Sequence, residues 1–132
     1  MIEPIACDGQ VLAYVVHSAG WPDQTMFLTP PETALQVGYI VYGAGQEIAR
    51  HVHLPVERHL VGTAEVLVVQ RGRCEVDVYT QDRRPVATRE LRQGDVLIAL
   101  AGGHGFRVLE DTVLLEVKQG PFVGDAAAKE RF

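Results

Sequence analysis

The stretch from Glu65 to Tyr79, which reads EVLVVQRGRCEVDVY, decides the predicted fold class of this chain. Valine and leucine dominate the part before Gly72, and such β-branched and apolar runs are typical of strands. After Gly72, acidic residues and valines alternate, which indicates a strand with one polar face and one apolar face. We therefore predict a β-hairpin that turns at Gly72.

The rest of the chain repeats this period of two. Glycines and prolines separate the short apolar runs, a pattern that predicts an all-β antiparallel sandwich or barrel. A short C-terminal helix is expected at 125–130. The further predicted strands are Val11–His17, Thr25–Leu28 as a short edge strand, Gln36–Tyr42, Val96–Leu100 and Val113–Lys118.

Length and composition set limits on the class of protein. The chain has 132 residues, 47% hydrophobic and 22% charged, which fits one globular domain over residues 1–132. A chain of this size can bury a core without a disulfide or a metal, so any metal site is expected to be functional. The net charge of −5 argues against nucleic acid and against an anionic membrane surface as partners.

The cysteines and the N-terminal residues bear on the compartment. Cys7 and Cys74 lie far apart and form no CxxC motif, so reduced thiols are expected. The first residues lack the basic and then apolar profile of a signal peptide, and no uncharged stretch is long enough to span a membrane. We expect a cytoplasmic protein.

His51 and His53 are the first candidate functional residues. We expect them to lie on a strand, where the alternation of side chains points both imidazoles to the same side of the sheet. Two imidazoles with a carboxylate suit iron, zinc, nickel or manganese. A histidine pair on a sheet surface is also common, so the pair alone does not define a metal site.

The surrounding residues resemble the first motif of the cupin family, G(X)5HXH(X)3-4E(X)6G. Gly45 is followed after five residues by His51 and His53, and Glu65 precedes Gly72 by six residues.

The second cupin motif, G(X)5PXG(X)2H(X)3N, is similar to the stretch from Gly94 to His104. Leu100 stands at the usual proline position, one residue instead of two separates Gly102 from the histidine, and no asparagine follows at the expected place. The two motif-like stretches cover about residues 45–110.

This resemblance implies a small RmlC-like cupin with a double-stranded β-helix (jelly-roll barrel). It also implies one divalent transition metal ion (Fe, Zn, Ni or Mn) bound by two histidines and a glutamate of the first motif and one histidine of the second. A homodimer built by sheet extension and a small-molecule ligand follow from the same resemblance. The corresponding ligands here are His51, His53, a glutamate and His104.

Two glutamates compete for the carboxylate position. Glu57 follows His53 at the usual gap, whereas Glu65 keeps the usual gap to Gly72. Alternation along its strand turns Glu65 inward, where a carboxylate among apolar neighbours needs a metal or another partner. Glu57 lies in the predicted loop 54–63 and serves there as a ligand, as an acid/base group or as a solvated surface charge.

Three functions follow as expectations. In the first, the metal polarises a carbonyl of a sugar-like substrate while Glu57 or His59 moves a proton, which is isomerase or epimerase chemistry. The second is an iron-dependent dioxygenase, and the third is a non-catalytic protein that binds a small molecule or a metal. At the C-terminus, Phe132 either docks on a partner subunit or belongs to a frayed end.

Overall fold

The computed structural model describes all 132 residues, and the chain is almost entirely β. Five strands form one antiparallel sheet, three form a second, and two short strands form a ribbon. The strands are β1 (Ile2–Cys7), β2 (Gln10–Val16), β3 (Met26–Phe27), β4 (Gly38–Tyr39), β5 (Glu65–Arg71), β6 (Arg73–Tyr79), β7 (Pro85–Arg92), β8 (Val96–Ala99), β9 (Gly103–Val108) and β10 (Val113–Lys118). The one helix, α1, comprises Asp125–Ala128, and its four residues are too few to reach across a membrane.

The five-stranded sheet has the order β1-β2-β8-β5-β10 and the three-stranded sheet the order β7-β6-β9. Their apolar faces form one core, in which Leu97 and Val69 of the larger sheet cluster with Val76 and Leu91 of the smaller one. The prediction of an all-β fold is confirmed. Neither sheet closes into a barrel, because β1 and β10 remain the ends of the larger sheet and β7 and β9 those of the smaller one.

The hairpin predicted at Gly72 is wrong. β5 hydrogen-bonds to β8 and β10, and β6 to β7 and β9, so the two strands belong to different sheets. Gly72 has φ +89°, and a Cβ at this position would overlap the main-chain carbonyl of Asp111. Gly72 is therefore the corner at which the chain crosses from one sheet to the other.

The prediction that His51 and His53 lie on a strand is also wrong. All residues from Tyr42 to Thr63 are exposed, and this stretch contains no helix or strand. No hydrogen bond between main-chain groups involves residues 47–63. Because a strand requires a neighbour that pairs with its backbone, the alternation in this stretch does not by itself produce one.

Most other predicted elements exist with changed bounds. β2, β8 and β10 match their predictions to within one residue at each end, whereas the strand predicted at 36–42 is reduced to the two residues of β4 and the helix ends at Ala128. β3 pairs with β4 as a separate ribbon. β1, β7 and β9 were not predicted.

The two sheets are joined along one side of the sandwich. Arg89 Nε of β7 donates a hydrogen bond to Glu3 Oε1 of β1 over 2.6 Å. At the other edges of the two sheets, β10 and β9 have no neighbouring strand on their outer sides.

Candidate functional site

Glu65 and His104 meet at one end of the sandwich. The Nε2 atom of His104 lies 3.1 Å from the Oε2 atom of Glu65, a distance at which the imidazole N–H donates a hydrogen bond to the carboxylate. Glu65 begins β5, and His104 belongs to β9, so the pair connects the two sheets. The side chains are 14% and 26% exposed, which leaves the pair accessible but largely shielded from solvent.

The surroundings keep Glu65 ionised. The hydrogen bond from His104 is the main cause that lowers the pKa of Glu65, and partial burial opposes it. The positive charges of Lys118 and Lys129 lower this pKa further. The ionised carboxylate of Glu65 can bind a metal ion directly, whereas Nε2 of His104 can do so only after the proton that it donates to Glu65 has left.

Two glycines precede His104 and allow the backbone there to approach its neighbours closely. Gly102 has φ +70°, and a Cβ there would overlap the carbonyl oxygen of Tyr79. A Cβ at Gly103 would lie 3.3 Å from the ring of Phe132. Glycine at these positions lets the start of β9 approach β6 and the C-terminus closely, which places the imidazole at the end of the sandwich.

His51 and His53 lie apart from this pair, in the exposed stretch from Tyr42 to Thr63. Their ring centroids are 5.2 Å apart, and His51 Nδ1 lies 2.8 Å from the carbonyl oxygen of Ala49. No group of three or more His, Cys, Asp or Glu side chains is placed to hold a metal ion. Of the four ligands expected from the sequence, the structure thus brings together two, Glu65 and His104.

Glu57 and His59 are exposed in the same stretch, and neither side chain forms a hydrogen bond or an ion pair. Between the two competing glutamates, the structure therefore pairs Glu65, and not Glu57, with His104.

Lys118 and the C-terminal residues near this site were missed by sequence reasoning. Lys118 is the register partner of Glu65 across β10 and β5, and directly opposed residues share one face of a sheet. The sequence contained a signal for this position, since Glu116 and Lys118 alternate with Leu115 and Val117 in the second half of β10. The register that sets Lys118 beside Glu65 could not be read from that alternation.

A second group of polar residues lies at the opposite end of the sandwich. His17 lies 3.5 Å from Glu3 and 3.8 Å from Asp95. The buried carboxylate of Asp95 accepts hydrogen bonds from the main-chain N–H groups of Ser18 and Arg92, which ties the end of β2 to the turn before β8. Beside it lies an open cavity of about 410 Å³, whose lining contains His17, Ser18, Ala19, Glu90, Arg92 and Asp95.

In comparisons with known proteins, no protein-family model, no curated protein and no solved structure matches this chain.

Proposed function

We propose that this chain is a cupin-type protein that binds one divalent transition metal ion through Glu65, His104, His51 and His53. The contact between Glu65 and His104 supports the proposal, because it brings a carboxylate and an imidazole from different sheets to within 3.1 Å at an accessible position. Imidazole and carboxylate together suit Fe, Zn, Ni or Mn. Two further donors are needed, and the cupin-like spacing supplies His51 and His53.

The two histidines reach the site if residues 48–54 become a strand. In this segment, which we call the HxH segment, Ile48, Val52 and Leu54 alternate with the two histidines. Val52 is 83% exposed and Leu54 77% exposed, so burying either side chain against a neighbouring strand would be favourable. A strand formed here would have one face that is apolar except for Arg50 and one face that carries both imidazoles.

The outer edge of β10 is the place where this strand fits. β10 has no neighbour on that side, and its outward face carries a half-exposed apolar row of Val113, Leu115 and Val117. If the apolar face of the HxH segment continues this row, the histidines turn to the opposite face, where Glu65 lies. The added strand would extend the larger sheet toward the jelly-roll form that the cupin-like motifs imply.

The reaction class that we attach to the site is isomerisation or epimerisation of a small carbonyl compound. The bound metal would supply Lewis acidity that polarises the carbonyl. Glu57 and His59 follow His53 by four and six residues, so a rearrangement that brings the histidines to Glu65 also brings these two groups close. Either side chain would then move the proton.

Metal titration tests the proposal. Untagged protein stripped with a chelator is titrated by calorimetry with Zn²⁺, Mn²⁺, Ni²⁺ or Fe²⁺, and the metal content is measured after dialysis. We expect one ion per chain. The His51→Ala, His53→Ala double variant and Glu65→Gln should each weaken binding by more than about 100-fold, which exceeds the usual effect of removing a partner that only orients a ligand.

His17→Ala is the matched control, because it removes an imidazole at the opposite end of the sandwich. Equal metal content in all these variants would exclude the proposed site. Proton transfer is tested separately by the exchange of deuterium from D₂O into the carbon next to the carbonyl of a ketose, followed by NMR. Glu57→Gln or His59→Gln should slow this exchange while the metal stays bound.

A further inference from the structure

The chain has only two lysines, and both lie at the Glu65–His104 end of the sandwich. Lys118 stands directly opposite Glu65 in the register of β10 and β5, on the same face of the sheet. Lys129 belongs to the C-terminal tail, by which we mean residues 125–132. This tail ends at Phe132, whose ring lies beside Gly103, the residue before His104. The charges of both lysines lower the pKa of Glu65.

The tail is held in place by its last residue. The Phe132 ring packs edge-to-face on Tyr79 of β6, with 5.0 Å between centroids, and the Arg83 guanidinium lies 5.3 Å from the Phe132 centroid. Arg83 also forms an ion pair of 2.8 Å with Glu130. Phe132 thus packs on its own chain, beside Gly103, the residue before His104.

Both lysine ammonium groups have N–H donors that their ion pairs leave free. Lys118 Nζ has one carboxylate partner, Glu116 at 3.2 Å, although an ammonium group has three N–H donors. Lys129 Nζ lies 4.0 Å from Asp125, the outer limit of an ion pair. The two side chains are 33% and 45% exposed, so each can donate to a ligand from solvent.

We propose that Lys118 and Lys129 bind the anionic group, phosphate or carboxylate, of the small molecule that occupies the candidate site. The tail is then part of the binding site, since Phe132 anchors the segment that carries Lys129. This inference rests on the proposed function and extends it, because it names the class of ligand that binds at the same site. If the lysines only balanced Glu65 and Glu116, added anions would not bind at them.

The test uses the fact that there are only two lysines. Reductive methylation with ¹³C-formaldehyde keeps the charge of each amine and yields one NMR signal for each lysine and one for the amino group of Met1. Inorganic phosphate and acetate are titrated separately, so that the two anion classes are distinguished. The Met1 amine hydrogen-bonds to the His17 carbonyl at the opposite end of the sandwich and serves as an internal control.

We expect both lysine signals to shift together and to saturate with one of the two anions, while the Met1 signal stays unchanged. Lys118→Gln and Lys129→Gln should each weaken the binding of that anion by up to about fivefold, as for partly exposed charge pairs. Arg92→Gln, which removes a positive charge at the far end of β7, should leave it unchanged.

Phe132→Ala tests the role of the tail. It should weaken anion binding as Lys129→Gln does, and Lys129→Gln should have no additional effect in the Phe132→Ala background.

Unshifted lysine signals with both anions, or an equal loss in Arg92→Gln, would overturn the inference. The titrations are run with and without metal, so the two proposals fail separately. Anion binding without metal binding would contradict only the metal site. Metal binding without lysine shifts would contradict only the anion site.

Discussion

Gly102 determines where His104 lies, through the backbone conformation that it permits. Its φ of +70° and its close approach to the Tyr79 carbonyl leave no room for a side chain. We expect Gly102→Ala to lower the free energy of unfolding by more than about 1 kcal/mol, because alanine is strained at positive φ. Urea denaturation measures the effect.

Gly105→Ala is the control on the same strand. Gly105 has no positive φ, and a Cβ there would meet no atom within 4 Å. Alanine at this position should change the stability by no more than about 1 kcal/mol and in the stabilising direction. If Gly105→Ala lowered the free energy of unfolding as much as Gly102→Ala, the close approach of Gly102 to Tyr79 would not be the cause of the loss.

Thr88 and Asp77 give a residue-level prediction of pH dependence. Thr88 Oγ1 donates a hydrogen bond of 2.5 Å to Asp77 Oδ1, and this bond is the main cause that lowers the pKa of Asp77, with Arg107 adding to it. A lowered carboxyl pKa stabilises the folded state above the unfolded pKa, and the contribution is lost as the pH falls through the folded value. Thr88→Val should therefore destabilise the protein by about 1 kcal/mol near neutral pH.

The difference between Thr88→Val and the wild type should shrink when the pH is lowered below about 4, the region in which aspartate titrates. Thr88→Ser keeps the hydroxyl group and should follow the wild type. Urea unfolding from pH 7 to pH 3 measures both variants. A constant difference over this range would mean that Thr88 acts through packing and not through the charge of Asp77.

At the scale of elements, the sequence predicted the strands that bury a continuous apolar run. β2 and β8 contribute Val15 and Leu97 to the core, and both strands were found. β7 was missed because Leu91 is its only fully buried residue and its arginines form ion pairs at the surface. β9 was not predicted because two of its six residues are glycines, which are uncommon in strands. Alternation also placed Glu65 on the inward face, whereas the partner of each strand depends on contacts between sheets that no local pattern contains.

The stretch from Tyr42 to Thr63 gives a prediction at this scale. Because it is exposed and unpaired, trypsin should cleave first after Arg50 and Arg58, and more slowly after Arg71 at the end of β5. If metal binding pairs the HxH segment with β10, saturating metal should slow cleavage at Arg50 more than at Arg58, which lies beyond the segment. Mass spectrometry of the first fragments measures both rates.

The His51→Ala, His53→Ala variant is the control for this experiment, since metal should not protect it. Equal protection of the variant and the wild type would place the effect of the metal elsewhere in the molecule. No protection of either chain at saturating metal would contradict the formation of a strand by the HxH segment.

At the scale of the whole molecule, the residues that stabilise the fold and the proposed metal ligands overlap only in Glu65 and His104. The core lies between the two sheets, and Asp95 ties elements together at the end away from Glu65. His51 and His53 contribute neither to the core nor to the contacts of Asp95, because they are exposed and unpaired with other elements. Glu65 and His104 belong to both, since their contact connects the sheets and forms the candidate site.

This division predicts how four substitutions act on global stability with and without metal. In chelator, the His51→Ala, His53→Ala variant should unfold at the same urea concentration as the wild type. His104→Ala should lower the free energy of unfolding by about 1 to 3 kcal/mol, because it leaves the partly buried Glu65 carboxylate unsatisfied. Glu65→Gln should lower it by about 1 kcal/mol, because the amide oxygen still accepts from His104 but the hydrogen bond is no longer charge-assisted. With metal at 100 times its dissociation constant, the wild type should gain about 2.7 kcal/mol and none of these variants should gain as much. A metal-dependent gain in stability that persists in the double-histidine variant would show that the ion binds without His51 and His53. The ligands that accompany Glu65 and His104 would then be other residues.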